Sequence, residues 1–256
     1  MVAEVAPLVI IVGETASGKS ALGMDLAKRF NGEIICADSR TIYKGMDIGT
    51  AKPSRQDQLE VRHHLLDIIE PGQRYSVAQF KEDALKAIAD ISSRGKLPIM
   101  VGGTGLYVDS VIFDYHFSEG SSLRDPDNPR HLSQDTPRPD RELRPKTLVI
   151  GLRRDKDELN ARIEKRAEQM LEDGFINEVE GLLDAYGADN EAMSGIGYRT
   201  FVKYIRGELS LDEAKVEFIR GDKSLAKRQR TWFKRNKSIH WVRREQVNEL
   251  VSSFLS

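Results

Sequence analysis

The 256-residue chain is 39% hydrophobic, enough for a substantial core in one or two domains, and a formal net charge of −1 excludes a uniformly basic or acidic polyelectrolyte. One cysteine, Cys36, excludes an intrachain disulfide and fits a reducing compartment. No basic leader precedes Glu4 and Pro7, and no apolar run approaches the roughly 18 residues that span a bilayer, so a soluble cytoplasmic protein away from membranes is expected.

The first element is the apolar run Leu8–Val12, a buried strand, followed directly by Gly13-Glu14-Thr15-Ala16-Ser17-Gly18-Lys19-Ser20. That spacing, G-x-x-x-x-G-K-[ST] between a strand and a helix, is the pattern of a phosphate-binding loop. Its glycines let main-chain N–H groups face an anion, Lys19 adds a mobile charge, and the Ser20 hydroxyl can ligate a Mg²⁺ ion that bridges phosphate oxygens. Ala21–Phe30 has helical apolar spacing through Leu22, Leu26 and Phe30, and Glu33–Ala37 follows as a second buried strand in which Cys36 reads as a packing residue.

The segment from Asp38 to Pro53 begins where that strand ends. In open parallel sheets the carboxyl ends of strands line the ligand crevice, so Asp38 and Ser39 are expected beside the phosphate loop. A carboxylate there can reach Mg²⁺ through water or accept a proton from an attacking nucleophile. Ser76-Val77-Ala78-Gln79 is a capping box opening a helix to about Arg94, and Leu97–Val101 is a third strand. It runs into Gly102-Gly103-Thr104, where the glycines permit close backbone approach and Thr104 offers a hydroxyl.

From Asp114 to Lys146 the pattern dissolves: five of the nine prolines lie here among Asp, Ser and Arg, so a loop or linker is predicted between 1–113 and 147–256. Thr147–Leu152 is a further strand, and Asp155 caps a helix ending near Gly174. Helices follow at Ile176–Tyr186 and Tyr198–Ile205, then a long one opened by the capping box Ser210-Leu211-Asp212-Glu213 and reaching Arg235. The alternation predicts an α/β fold of the P-loop NTPase type, a parallel sheet flanked by helices, with a mostly helical C-terminal part.

Charge is unevenly distributed. Lys215–Arg244 holds eleven Lys and Arg against Glu217 and Asp222, a net of +9, which suits a polyanionic partner. At about 100° per residue Lys223, Lys227, Arg230 and Lys234 share a stripe, with Phe218, Leu225 and Trp232 on another face as core anchors. His63 and His64 lack a second pair of ligands at metal-binding spacing and read as structural or substrate-positioning residues.

The phosphate loop, DSRTIYKGMDIGTAKP from Asp38, RHHLLDI from Arg62, YSVAQF from Tyr75, GKLPIMVGGTGLY from Gly95, GIGYR from Gly195 and LAKRQRTWFKR from Leu225 together resemble the tRNA dimethylallyltransferases. The resemblance runs from Leu8 to about Val242, interrupted at 114–146. It implies a monomeric, Mg²⁺-dependent enzyme that prenylates the N6 amine of an adenosine next to the anticodon. Gly13 to Ser20 would then hold the pyrophosphate of dimethylallyl diphosphate, with Ser20 on the metal. Asp38 would orient the amine and take its proton, Lys19 and Lys223 would stabilise the leaving pyrophosphate, and Thr104 would contact the target nucleotide. Asp38, Ser39, Arg40 and Thr41 would hold the flipped base, and Lys227, Arg230 and Lys234 would face tRNA phosphates.

Three features depart from the family. Thr41 replaces the glutamine of Asp-Ser-x-Gln, removing an amide able to make bidentate base contacts. Asp222-Lys223-Ser224 replaces Thr-Arg-x, so Lys223 keeps the charge but loses the guanidinium fork. The segment 114–146 is too short and proline-rich for the helical insertion that clasps the anticodon stem. Prenyl transfer to free AMP, ADP or ATP, as in the adenylate isopentenyltransferases, is the alternative substrate. A P-loop kinase or NTPase using Asp67 on Mg²⁺, and an RNA-binding protein without catalysis, are the alternatives of other classes.

Overall fold

The computed structural model describes residues 5–115, 117 and 142–256. Strands β1 (Leu8–Val12), β2 (Gly32–Cys36), β3 (His63–His64), β4 (Leu97–Gly102), β5 (Thr147–Leu152) and β6 (Ile239–Val242) form one sheet in the order β3-β2-β4-β1-β5-β6. Every pairing is parallel. All five residues of β1 are buried, which requires a central strand covered on both faces, and their alternation assigns them to two cores.

Leu8, Ile10 and Val12 pack with α3 (Val77–Ser93) and α4 (Gly105–Ile112) through Phe80, Ile88, Tyr107 and Val111. Val9 and Ile11 pack with α1 (Lys19–Arg29) and α9 (Val247–Leu255) through Leu22, Leu26, Val247 and Val251. Full burial of such a side chain is worth about 1.5–3 kcal/mol. The expected capping boxes at Ser76 and Ser210, and the Asp155 cap, all form.

The rest of the chain is helical, as expected: α5 (Lys156–Glu172), α6 (Phe175–Tyr186), α7 (Ile196–Ile205) and α8 (Leu211–Phe233), with the short α2 (Arg55–Glu60) after the second strand. A third core gathers Phe175, Tyr198, Phe201 and Phe218 around Ile42, Tyr43 and Met46. That core fastens the segment after β2 to the C-terminal helices, so one side of the crevice is built by distant sequence. Most of 114–146, expected as a linker, lies outside the described residues. The Arg144 N–H donates to the Ile112 carbonyl at 2.7 Å, so the chain re-enters beside the end of α4.

Candidate active site

The loop between β1 and α1 has Ala16 at φ 60° and Gly18 at φ 96°, left-handed values that curl the backbone around a concavity. Two of its carbonyls are held by arginines. Arg162 Nε donates to the Ala16 oxygen at 2.9 Å, and Arg154 Nε to the Ser17 oxygen at 2.7 Å. Because a trans peptide points its N–H opposite its carbonyl, fixing the Ser17 oxygen outward turns the Gly18 N–H inward. It joins the unpaired N–H groups that open α1. The Ser17 hydroxyl, fully buried beside Gly13 and off the cavity wall, has no partner among the described residues.

Lys19 Nζ donates to the Glu14 carbonyl at 2.6 Å. Burial pulls its ammonium down to about 8; the Asp38 carboxylate nearby resists, Arg166 adds to the lowering, and Glu14 resists. Asp38 lines the same cavity as Lys19, just past the end of β2 as expected. Its Oδ1 accepts the Arg40 N–H at 2.8 Å, which sets the carboxylate's orientation.

The end of β4 closes on the same point. A Cβ at Gly102 would collide with the Ala37 carbonyl oxygen, so only glycine lets the two strand ends approach this closely. The Thr104 hydroxyl accepts the Ser39 N–H at 3.0 Å, and Thr41, buried, donates its hydroxyl to the Asp38 carbonyl at 3.4 Å. A cavity of about 640 Å³ runs from Lys19 and Ser20 past Asp38 and Thr41 to Thr50, Ala51 and Pro53. Cys36 lines it, but burial pushes the thiol pKa up, so it stays protonated and inert there.

The C-terminal helices correct part of the sequence reading. Lys223, expected at the pyrophosphate, is not on the cavity wall: its Nζ pairs with Glu164 at 2.6 Å, because its place on α8 faces α5. Arg230, expected to face tRNA phosphates, turns inward and its Nε pairs with the Glu14 carboxylate in the phosphate loop. Lys227 and Lys234 are exposed as expected. His64 Nε2 meets the buried Glu33 carboxylate at 2.8 Å, a structural role, while His63, whose Nδ1 meets the Val61 carbonyl at 2.7 Å, also lines the cavity. Asp67, the candidate metal ligand of a kinase, is absent from the cavity wall; Lys52 holds it at 2.5 Å.

Several cavity residues escaped the sequence reading. Gln229 Oε1 accepts the Thr15 N–H at 2.7 Å while its Nε2 donates to the Gly103 carbonyl at 3.0 Å, bracing the phosphate loop against the end of β4. Arg162, Lys165 and Arg166 line the cavity from α5. Their spacing of three and four along one helix was the available signal, since it puts three cations on one face.

A family model described as IPP transferase matches residues 41–134 and 127–236. The chain is 38% identical to the tRNA dimethylallyltransferase of Acetivibrio thermocellus over 94% of this chain and 93% of that one. It is 41% identical to tRNA dimethylallyltransferase 2 of Geotalea uraniireducens over 92% and 91%. The crystal structure of a Staphylococcus epidermidis tRNA delta(2)-isopentenylpyrophosphate transferase superposes with TM-score 0.84 at 32% identity, covering 98% of this chain and 99% of that one. A eukaryotic dimethylallyltransferase, described as acting on tRNA, superposes with TM-score 0.81 at 25% identity over 94% and 74%. With a phosphate loop and a carboxylate-bearing strand end facing one cavity, and these matches across nearly its whole length, the chain belongs to the IPP transferase family.

Proposed function

We propose that the protein transfers the dimethylallyl group of dimethylallyl diphosphate to the N6 amine of the adenosine next to the anticodon in tRNA, acting as a cytoplasmic monomer. The observation that carries this reading is the placement of Asp38 on the same cavity as Lys19 and the phosphate loop, the one carboxylate among the described residues that line it. The diphosphate rests on the loop between Gly13 and Ser20, on amides such as that of Gly18, while the Thr15 amide is held by Gln229 and the Ser17 amide by the Glu14 carbonyl. The Asp38 carboxylate accepts a hydrogen bond from N6 and aligns its lone pair with the allylic carbon. As the C–N bond forms, the C–O bond breaks with its electron pair on the departing pyrophosphate, and Asp38 takes the N6 proton. Lys19 and the loop amides meet charge that grows only in the transition state, which lowers the barrier.

The donor set fits Mg²⁺. Among the described residues no group of three or more His, Cys, Asp or Glu could hold a metal, so the Ser20 hydroxyl, substrate phosphate oxygens and water would be the ligands. When bound, the ion supplies neutralising charge at the diphosphate. Thr41, with Ser39 and Thr104 beside it, faces the target base, and Lys227 and Lys234 contact tRNA phosphates; Arg40, expected at the base, instead donates from its guanidinium to the Glu191 carbonyl at 2.6 Å and the Ser194 hydroxyl at 3.3 Å. The segment 114–146 stands in place of a helical insertion. In support, the alignment to the Acetivibrio thermocellus relative spans 293 positions, more than this chain possesses.

Incubation with dimethylallyl diphosphate and either tRNA or AMP, followed by mass analysis of nucleosides, tests the reading. Prenylated adenosine is expected from tRNA; product from AMP alone overturns the acceptor. Asp38→Ala is expected to lower kcat by about 10²–10⁴-fold with diphosphate affinity retained.

A further inference from the structure

Helix α8 reaches the phosphate loop through Gln229, whose side chain lines the cavity. The Thr15 N–H and the Gly103 carbonyl, 2.7 Å and 3.0 Å away, hold the two ends of its amide, which thus fills the gap between the loop and the end of β4. A Cβ at Gly103 would collide with Gln229 Nε2, so the amide is seated closely against that turn. Just beyond it α8 is pinned twice more: Arg230 pairs with the Glu14 carboxylate, and Trp232 Nε1 donates to Asp109 on α4.

A phosphate loop binds its ligand with main-chain N–H groups, so each amide that the protein itself satisfies is withheld from the anion. Thr15 gives its N–H to Gln229, and Ser17 gives its own to the Glu14 carbonyl at 3.2 Å. Arg230 spends its charge on Glu14 and not on the cavity. The opposite end of the loop, with the Gly18 N–H and the first amides of α1, stays open to an anion. The cradle is therefore shortened from its β1 side, by a neutral side chain that takes both a donor and the space in front of it.

We infer that Gln229 limits the loop to a diphosphate: its amide occupies the place, and takes the N–H, that the third phosphate of a triphosphate would need. The inference rests on the proposed prenyl transfer from a diphosphate. Selectivity of this kind comes from an obstacle to the wrong ligand, with no added grip on the right one. A triphosphate carries more charge and would bind an open cationic loop more tightly. Here it must first displace Gln229, which breaks two hydrogen bonds and leaves the Gly103 carbonyl without its donor.

Titration calorimetry of the intact protein with inorganic pyrophosphate and with inorganic tripolyphosphate, at one Mg²⁺ concentration, reads this preference. The parent is expected to favour pyrophosphate by about tenfold or more, and Gln229→Ala, which frees the Thr15 N–H and the space beside it, to lose about tenfold of that preference. Gln229→Glu keeps the filled volume and an acceptor for Thr15, and is expected to retain at least the parent's preference. The ratio of the two affinities is decisive, because loss of a merely structural brace weakens both anions alike. A parent that takes tripolyphosphate as tightly as pyrophosphate overturns the assignment. So does a Gln229→Ala variant with the ratio unchanged, or loss of the preference in Gln229→Glu. Prenylated tRNA formed by the parent is scored separately, so its absence removes the reaction while the two titrations still decide Gln229.

Discussion

Asp109 on α4 shows how one buried side chain sets a pH response. It is 7% exposed and accepts the Trp232 Nε1–H at 2.7 Å, joining α4 to α8. Burial pushes its carboxyl up to about 7, with the Trp232 hydrogen bond and Arg235 pulling the other way. The unfolded chain gives up this proton near pH 4, so from about pH 4 to 7 the native state binds a proton that the unfolded state lacks, and stability falls as pH rises through that window. Asparagine keeps an oxygen for Trp232 without the charge. Asp109→Asn is therefore expected to melt with the parent near pH 4 and to exceed it at pH 8, by on the order of 2–4 kcal/mol. Thermal melts of both proteins across this range check it, and an equal gain at both ends defeats the explanation.

At the scale of elements, the segment after β2 depends on α6 for its shape. One carboxylate, Glu178, accepts the N–H groups of Asp47 at 2.8 Å, Ile48 at 2.7 Å and Gly49 at 3.0 Å, and the Tyr198 hydroxyl at 2.6 Å. Thr50 and Ala51, next along the chain, line the cavity. Glu178→Ala would orphan three backbone donors and is expected to cost about 2–4 kcal/mol in urea unfolding and to raise KM for both substrates. A variant with wild-type KM would show that the loop keeps its shape without this carboxylate. No local pattern announced the link, because Glu178 and Gly49 meet only after α6 and α7 fold. Elements with strong periodicity and caps were legible: β1 and β5 have the residues that the apolar runs indicated, and α3, α5 and α8 start at their expected caps. The two-residue β3 and the edge strand β6 were not, since pairing to β2 and β5 creates them and their own residues alternate weakly. The crevice was legible in part through the phosphate loop after β1 and Asp38 after β2, which lie at strand ends. Its α5 wall was not, because helical cations look alike until packing selects those that face inward.

Over the whole molecule, the +9 of Lys215–Arg244 divides into two populations. Lys223, Arg230 and Arg244 are neutralised by Glu164, Glu14 and Asp25, and so serve the fold and the phosphate loop. Arg220, Lys227, Arg228, Lys234, Arg235, Lys237 and Arg243 remain exposed along α8 and beyond it. Sequence charge alone overstates the surface available to a polyanion, since each internal pair spends its field locally. If three to five exposed cations meet tRNA phosphates, log affinity should fall with log salt at a slope of about −2 to −4. Lys227→Ser with Lys234→Ser removes two of them that do not line the cavity. The slope should then become shallower by roughly 1.5, with pyrophosphate affinity preserved. Titrations of tRNA across a range of potassium chloride concentrations measure that slope directly. A slope unaltered by the double substitution would move the RNA-binding face away from α8, because counterions released on binding can come only from phosphates that the protein itself neutralises.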